Sequence, residues 1–197
     1  MRIIAGTKRG MKLLSPKTDI SRPITDRVKE SLFNVLNNYG FPSGKIVADL
    51  FCGVGSLGIE ALSRGAEFVL FVEQDYKIIE TLRKNIERAG FVKNSKVIKT
   101  NVFKVGAPVD ERKYDLVFVD PPYLFTSTAG EDSPLSSLLS MVQEQVTTDS
   151  IIVVRTESHT KLLPKYGQLE VMDLRRWGSM TVALLRKIDT CQTGTQP

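Results

Sequence analysis

The stretch KIVADLFCGVGSLG, residues 45–58, limits what this chain can fold into more than any other. It opens as a short apolar run, residues 46–51, and breaks into Gly53, Gly55 and Gly58. Ile59, Glu60, Ala61 and Leu62 then have helical character. Strand, glycine turn and helix in that order are the context in which a G-x-G-x-x-G pattern carries meaning. Glycine lets the backbone turn sharply and lets a nucleoside cofactor lie against it. Alone, the pattern equally fits a turn that is merely tightly packed. A second stretch, YDLVFVDPPY at residues 114–123, separates the two readings, because a strand ending in Asp-Pro-Pro-Tyr has no evident structural purpose.

From residue 46 the pattern alternates. Apolar runs predict strands at 46–51, 68–73, 96–100, 114–119 and 150–155. Between them, helical spacing predicts helices at about 57–64, 76–89 and 135–146, with a weaker one near 160–166. Runs such as FVLFV and LVFV suit strands buried on both faces of a parallel sheet covered by helices. Two further strands, about 168–174 and 179–186, flank Arg176-Trp177-Gly178-Ser179, which reads as a hairpin. So short a connection makes the last strand antiparallel. Ahead of this core, residues 2–4 and 12–14 form short extended segments around Gly6 and Gly10, predicting an N-terminal β-hairpin. After a proline-bounded loop, Thr25 caps a helix in which Val28, Leu32, Val35, Leu36 and Tyr39 recur at helical spacing.

The expected fold is therefore α/β and Rossmann-like, with a seven-stranded, mostly parallel sheet whose last strand is antiparallel. At 197 residues the chain has room for one sizeable core, so a single domain over 1–187 is expected. Residues 1–24 would be a basic, flexible hairpin-and-loop appendage, and 188–197 a frayed tail. No apolar run approaches the ~20 residues needed to span a bilayer, and the opening is too short in apolar residues for a secretory signal. Cys52, Cys191 and the single His159 offer neither a disulfide framework nor metal-ligand spacing, so no metal is expected. A cytoplasmic monomer is the expectation.

Charge is unevenly placed. Residues 1–30 carry a net +5, and so does the whole chain, so the remainder is neutral. Scattered lysines can be a solvated face, but a basic segment on a neutral domain is also the pattern of phosphate-backbone contact. The candidates are Arg2, Lys8, Arg9, Lys12, Lys17 and Arg22.

Glu73 ends the second predicted strand, 20 residues after Gly53. An acid at about that distance can accept hydrogen bonds from both hydroxyls of a ribose. Asn101, after the third strand, can reach an adenine edge, although Asn is also a common turn residue. Asp120, Pro121, Pro122 and Tyr123 lie at the carboxyl end of the fourth strand, where doubly wound sheets bind ligands. A nucleobase amino group is a poor nucleophile because its lone pair is delocalised into the ring. Acceptors at its hydrogens, the Asp120 carboxylate and the Pro121 carbonyl, can draw the nitrogen toward tetrahedral geometry and take up the developing charge. The two prolines fix the aim of these acceptors in advance, and Tyr123 offers a face on which a base stacks.

With these residues the chain resembles the S-adenosylmethionine-dependent amino-methyltransferases that carry an Asp-Pro-Pro-Tyr motif. Within them it is similar to the bacterial 16S rRNA guanine-N2 methyltransferases. The likeness runs from Arg2 to about Lys187 and includes Arg22-Pro23 with Thr25-Asp26-Arg27-Val28, Asp49-Leu50-Phe51, Glu60-Ala61-Leu62-Ser63-Arg64-Gly65-Ala66 and Trp177-Gly178. It implies a class I methyltransferase fold and transfer of a methyl group from S-adenosylmethionine to a guanine of 16S rRNA, within the small ribosomal subunit. By the same likeness, Asp49, Gly53 and Gly55 hold the methionine part of the cofactor and Glu73 its ribose. Ile24 and Asn101 depart from the pattern, which has threonine and aspartate there; Asn101 keeps a carbonyl acceptor for the adenine amino group. Competing readings are a DNA amino-methyltransferase, a nicotinamide-dependent oxidoreductase on the same glycine turn, and a non-catalytic RNA-binding module.

Overall fold

The computed structural model of the chain describes residues 1–15, 24–108 and 112–188. Lys17, Arg22, Pro23 and Cys191 lie outside the described residues, as do the proline-bounded loop and the tail. Five helices and eight strands follow in chain order among the described residues: α1 (Asp26–Asn38), β1 (Ile46–Leu50), α2 (Ser56–Ser63), β2 (Phe68–Glu73), α3 (Tyr76–Ala89), β3 (Ser95–Lys99), α4 (Val102–Val105), β4 (Tyr114–Val119), α5 (Pro134–Gln145), β5 (Val146–Glu157), β6 (Lys165–Tyr166), β7 (Leu169–Trp177) and β8 (Met180–Lys187). The strands form one sheet in the order β3-β2-β1-β4-β5-β8-β7-β6. β1 to β5 are parallel to their neighbours, and β8 enters antiparallel between β5 and β7.

The sheet has eight strands where seven were expected. The extra one is β6, which pairs antiparallel with β7 where the sequence suggested a weak helix. Pro164 cannot donate a backbone hydrogen bond within a helix. The Leu163 N–H instead donates to the Tyr166 hydroxyl at 3.0 Å, and the Pro164 carbonyl accepts from Val171 at 2.9 Å. α4 was not foreseen either; it is a single turn, capped by the Asn101 side chain.

β1 is buried along its whole length, and its side chains alternate between two cores. Val47 joins a cluster with Leu32 and Phe33 of α1, Ile59 of α2 and Leu82 of α3. Ala48 and Leu50 join a second cluster with Leu135, Leu138 and Val142 of α5. This two-sided burial is what continuous apolar strands require.

The N-terminal segment belongs to the first core. Arg2 and Lys12 form an antiparallel bridge, and Ile3 and Leu13 are buried with α1. Where a loose hairpin was expected, the described part is docked. Glu60 of α2, fully buried, accepts the Ile4 and Ala5 N–H groups at 2.7 and 3.0 Å. Its carboxylate lies 3.4 Å from the buried Lys29 Nζ of α1 and 2.7 Å from Arg64 Nε. Lys29 in turn donates to the Arg2 carbonyl at 2.7 Å and the Ser56 hydroxyl at 3.2 Å. Burial pushes the Lys29 ammonium below its ordinary range, and Glu60 opposes that shift.

Removing one partner of such a pair leaves the others charged or unpaired without solvent. Glu60→Ala is therefore expected to cost about 3–5 kcal/mol, read as a lowered urea midpoint at unchanged slope. A loss of under ~1 kcal/mol, the range of exposed pairs, would mean that the network contributes nothing.

Candidate active site

Strand ends create the site. β1, β2 and β4 are adjacent and parallel, so Asp49, Glu73 and Asp120 arrive together at one edge of the sheet. β1 leaves its last residue through Phe51, whose φ of 59° is positive without glycine, and the chain turns through Gly53 to Gly55, which caps α2. A non-glycine residue in this region stores local strain. Gly58 serves a different need: a Cβ there would fall 2.3 Å from the Phe71 ring of β2, so only glycine allows α2 this close to the sheet. At Gly53, with φ of 55°, a Cβ would meet nothing within 4 Å, which leaves open space over the turn.

Asp49 is buried, and its Oδ2 accepts from the Gly58 N–H at 2.8 Å. Burial pushes its carboxyl well above the usual range, the Gly58 bond opposes this, and the negative Asp120 and Glu73 add to it. Glu73 Oε2 accepts from the Gly53 N–H at 3.1 Å, while Oε1 accepts from Gln74 and Asp75 at 2.8 and 3.0 Å. A carboxylate has about four acceptor positions, so these bonds leave room for one ribose hydroxyl. Engaging both hydroxyls requires a backbone donor to yield. Asn101 lies just past β3, and its Oδ1 accepts from the Phe103 N–H at 2.9 Å as the cap of α4.

Past β4, the Asp120 N–H donates to the Leu50 carbonyl at 3.4 Å, which ties the turn to the end of β1. Pro121 is buried, and among the described residues its carbonyl accepts no hydrogen bond. Tyr123 begins a 3-10 turn through Phe125; it is half-buried, and its hydroxyl is buried with no partner among the described residues. Phe125 packs on Phe103 at 4.8 Å and Phe103 on Phe51 at 5.2 Å between ring centroids. This ladder joins the glycine turn, α4 and the Asp-Pro-Pro-Tyr turn. Sequence reading missed it, although each phenylalanine follows the carboxyl end of a strand. It also missed Arg155 of β5, whose Nε forms an ion pair with Asp120 Oδ1. Burial raises the Asp120 carboxyl above its ordinary range, and Arg155 pulls it back.

Of the basic candidates, Lys8 and Arg9 are not at this cleft. The Thr7 and Lys8 N–H groups donate to the Ser63 carbonyl and hydroxyl at 2.8 and 2.9 Å, and Lys8 Nζ lies 5.9 Å from the Phe91 ring. Ser63 ends α2 and Phe91 follows α3, both of which run back toward the amino ends of the strands. Lys8 and Arg9 therefore sit at the far end of the sheet from Asp120. Arg2 pairs with Asp26 at 2.8 Å and remains exposed.

The open space at Gly53, the buried Asp49 carboxyl beside Glu73 and Asp120, and the Tyr123 hydroxyl unpartnered among the described residues fit a nucleoside cofactor. No group of three or more His, Cys, Asp or Glu able to hold a metal occurs among the described residues. None of their helices is long and apolar enough to cross a membrane.

A family model described as "Conserved hypothetical protein 95" matches residues 1–186. YlbH of Bacillus subtilis (strain 168), a proposed rRNA methyltransferase, is 34% identical over 191 residues, covering 95% of this chain and 99% of that one. The ribosomal RNA small subunit methyltransferase D of Haemophilus influenzae is 39% identical over 127 residues, 64% of this chain and 65% of that protein. The solved structure of Escherichia coli yhhF, a proposed methyltransferase, superposes with a TM-score of 0.79 at 28% identity, covering 95% of this chain and 97% of that one.

The raised Asp49 carboxyl has a consequence for stability. Its folded state favours the neutral form, so stability is fully present below the ordinary aspartate range, near 4, and is lost as pH rises through the folded value. Asp49→Asn should match the parent protein in acid and exceed it increasingly toward neutral pH, as read from urea midpoints. A pH-independent difference would mean that Asp49 is not held neutral.

Proposed function

The chain belongs to the family described as conserved hypothetical protein 95, and from that membership and its Asp-Pro-Pro-Tyr turn we propose that it methylates the N2 amino group of a guanine in 16S rRNA of the small ribosomal subunit. The observation that carries this reading is the convergence of a glycine turn, a strand-end glutamate and Asp120-Pro121-Pro122-Tyr123 at one sheet edge. The relatives named as rRNA methyltransferases supply the substrate class.

S-adenosylmethionine supplies an electrophilic methyl group on a sulfonium. Asp49 and the open turn at Gly53 and Gly55 would hold its methionine part, Glu73 its ribose, and Asn101 would meet the adenine. Asp120 and the Pro121 carbonyl accept from the target amino group, so that its nitrogen lone pair points at the methyl carbon. Transfer of that methyl group to the amino nitrogen would leave the nitrogen with a proton to lose, and Asp120 would receive it. Tyr123 stacks the base. A guanine inside a helix cannot reach this turn, so the target is unpaired or extruded. The cations Arg2, Lys8, Arg9, Lys12, Lys17 and Arg22 would grip the RNA through its phosphates.

Two measurements test this. Tritiated methyl transfer to small subunits from a strain lacking the gene should be supported by the parent protein and fall steeply with Asp120→Ala, while cofactor affinity by calorimetry stays nearly unchanged. Near-normal turnover of Asp120→Ala would sink the amino-group mechanism. Separately, replacing Lys8, Arg9 and Lys12 by alanine should weaken subunit binding and flatten its salt dependence by about 0.7 for each phosphate no longer neutralised, the slope for single strands. Identical salt series would show that these residues are a solvated face.

A further inference from the structure

The register that pairs Val119 of β4 with Val154 of β5 sets the next residues, Asp120 and Arg155, side by side at the carboxyl edge of the sheet. Their side chains are largely buried, at 19% and 13% exposure, and the contact runs between Arg155 Nε and Asp120 Oδ1. The Arg155 side chain forms no hydrogen bond with any other described residue, and its Nη1 is buried without a partner among them. An arginine retained for structural reasons has its several N–H donors satisfied when buried. This one faces only the Asp120 carboxylate. Oδ1 is buried beneath the guanidinium, while the side chain as a whole keeps some exposure, which leaves Oδ2 to face the cleft.

We infer that Arg155 is a positioning residue for the reaction: it clamps Oδ1, turns Oδ2 toward the target amino group and keeps the carboxylate in the charged form that accepts a hydrogen bond. The role rests on the methyl-transfer reading above. A protonated carboxyl would present an O–H donor, which cannot receive the amino hydrogens. The charges around Asp120 support the assignment. Burial drives it toward protonation and Arg155 from β5 opposes that. Asp120 and Glu73 of β2 both act on the buried Asp49 carboxyl of β1, and Tyr123 is the titratable group on the following turn. Without Arg155, nothing among these groups counters the burial.

The test is the pH profile of methyl transfer to small subunits for the parent protein, Arg155→Gln, Arg155→Lys and Asp120→Asn, with cofactor binding measured alongside. In the parent, activity falls on the acid side, and Asp120→Asn lacks that limb. Arg155→Gln should move the limb to higher pH and lower kcat roughly tenfold or more near pH 7, with the KM for S-adenosylmethionine unchanged. Arg155→Lys restores the charge and should bring the limb back toward the parent position. Its kcat stays reduced, because a point charge does not hold a carboxylate in one orientation as a planar fork does. A limb that stays in place in Arg155→Gln overturns the role. Should that variant fail to bind cofactor, a fully active Arg155→Lys overturns it instead. No transfer by the parent protein sinks the activity and this role together, whereas transfer with an unmoved limb sinks the role alone.

Discussion

Glu60 is the constraint on which the rest of the molecule depends. Its carboxylate is fully buried, and it bonds two backbone N–H groups of the N-terminal segment, the ammonium of α1 and the guanidinium one turn along α2. Burying these charges brings little net stability, because desolvation offsets attraction. What the arrangement fixes is placement. α2 starts at Gly55, and Lys29 also holds the Ser56 hydroxyl, so the hairpin, α1 and the first residue after the glycine turn share one set of contacts. Both the glycine turn and the N-terminal segment are located by one residue that touches neither the open space at Gly53 nor the Asp-Pro-Pro-Tyr turn.

The cleft itself is defined by repulsion. Asp49, Glu73 and Asp120 converge from three neighbouring strands, and among the described groups only Arg155 opposes the charge on Asp120. A site of this kind is poorly suited to anions and well suited to a ligand with positive charge. A positively charged group arriving there would offset the unfavourable placement of these carboxyls. Stability surrendered at a site and recovered on binding is a common arrangement where function demands unfavourable placement.

Much of this was legible in the sequence. Residues 46–50 and 114–119 are apolar runs that only a doubly covered strand explains, and the glycines and prolines after them mark the turns. The fold and the position of the Asp-Pro-Pro-Tyr turn follow from that local chemistry. What stayed hidden depends on partners distant in the chain. Glu60 read only as a residue of a helix, because the hairpin that buries it is 55 residues away. Arg155 acquires its meaning only from the β4–β5 register, which no local pattern encodes. The segment before Tyr166 has apolar Leu162 and Leu163 at positions that suit a helix, and Pro164 together with the Tyr166 hydroxyl, which bonds both Leu163 and the distant Ala129 carbonyl, overrides that preference. Lys8 and Arg9 form a charge cluster in the sequence, but their location relative to the cleft is set by docking onto Ser63.

The position of β8 bears on how the molecule comes into being. It lies between β5 and β7, yet it is synthesised after both, so the two strands wait without their common neighbour while the ribosome completes residues 180–187. Until then the edge of β5, with Ile152, Val153 and Val154 destined for full or nearly full burial, stays open to pairing with any other exposed strand. Long-range closure of this kind is slow and leaves nascent chains prone to aggregation. A growing chain of this protein is therefore most vulnerable after β7 has been made and before β8 emerges, while the seam between β5 and β7 has yet to close.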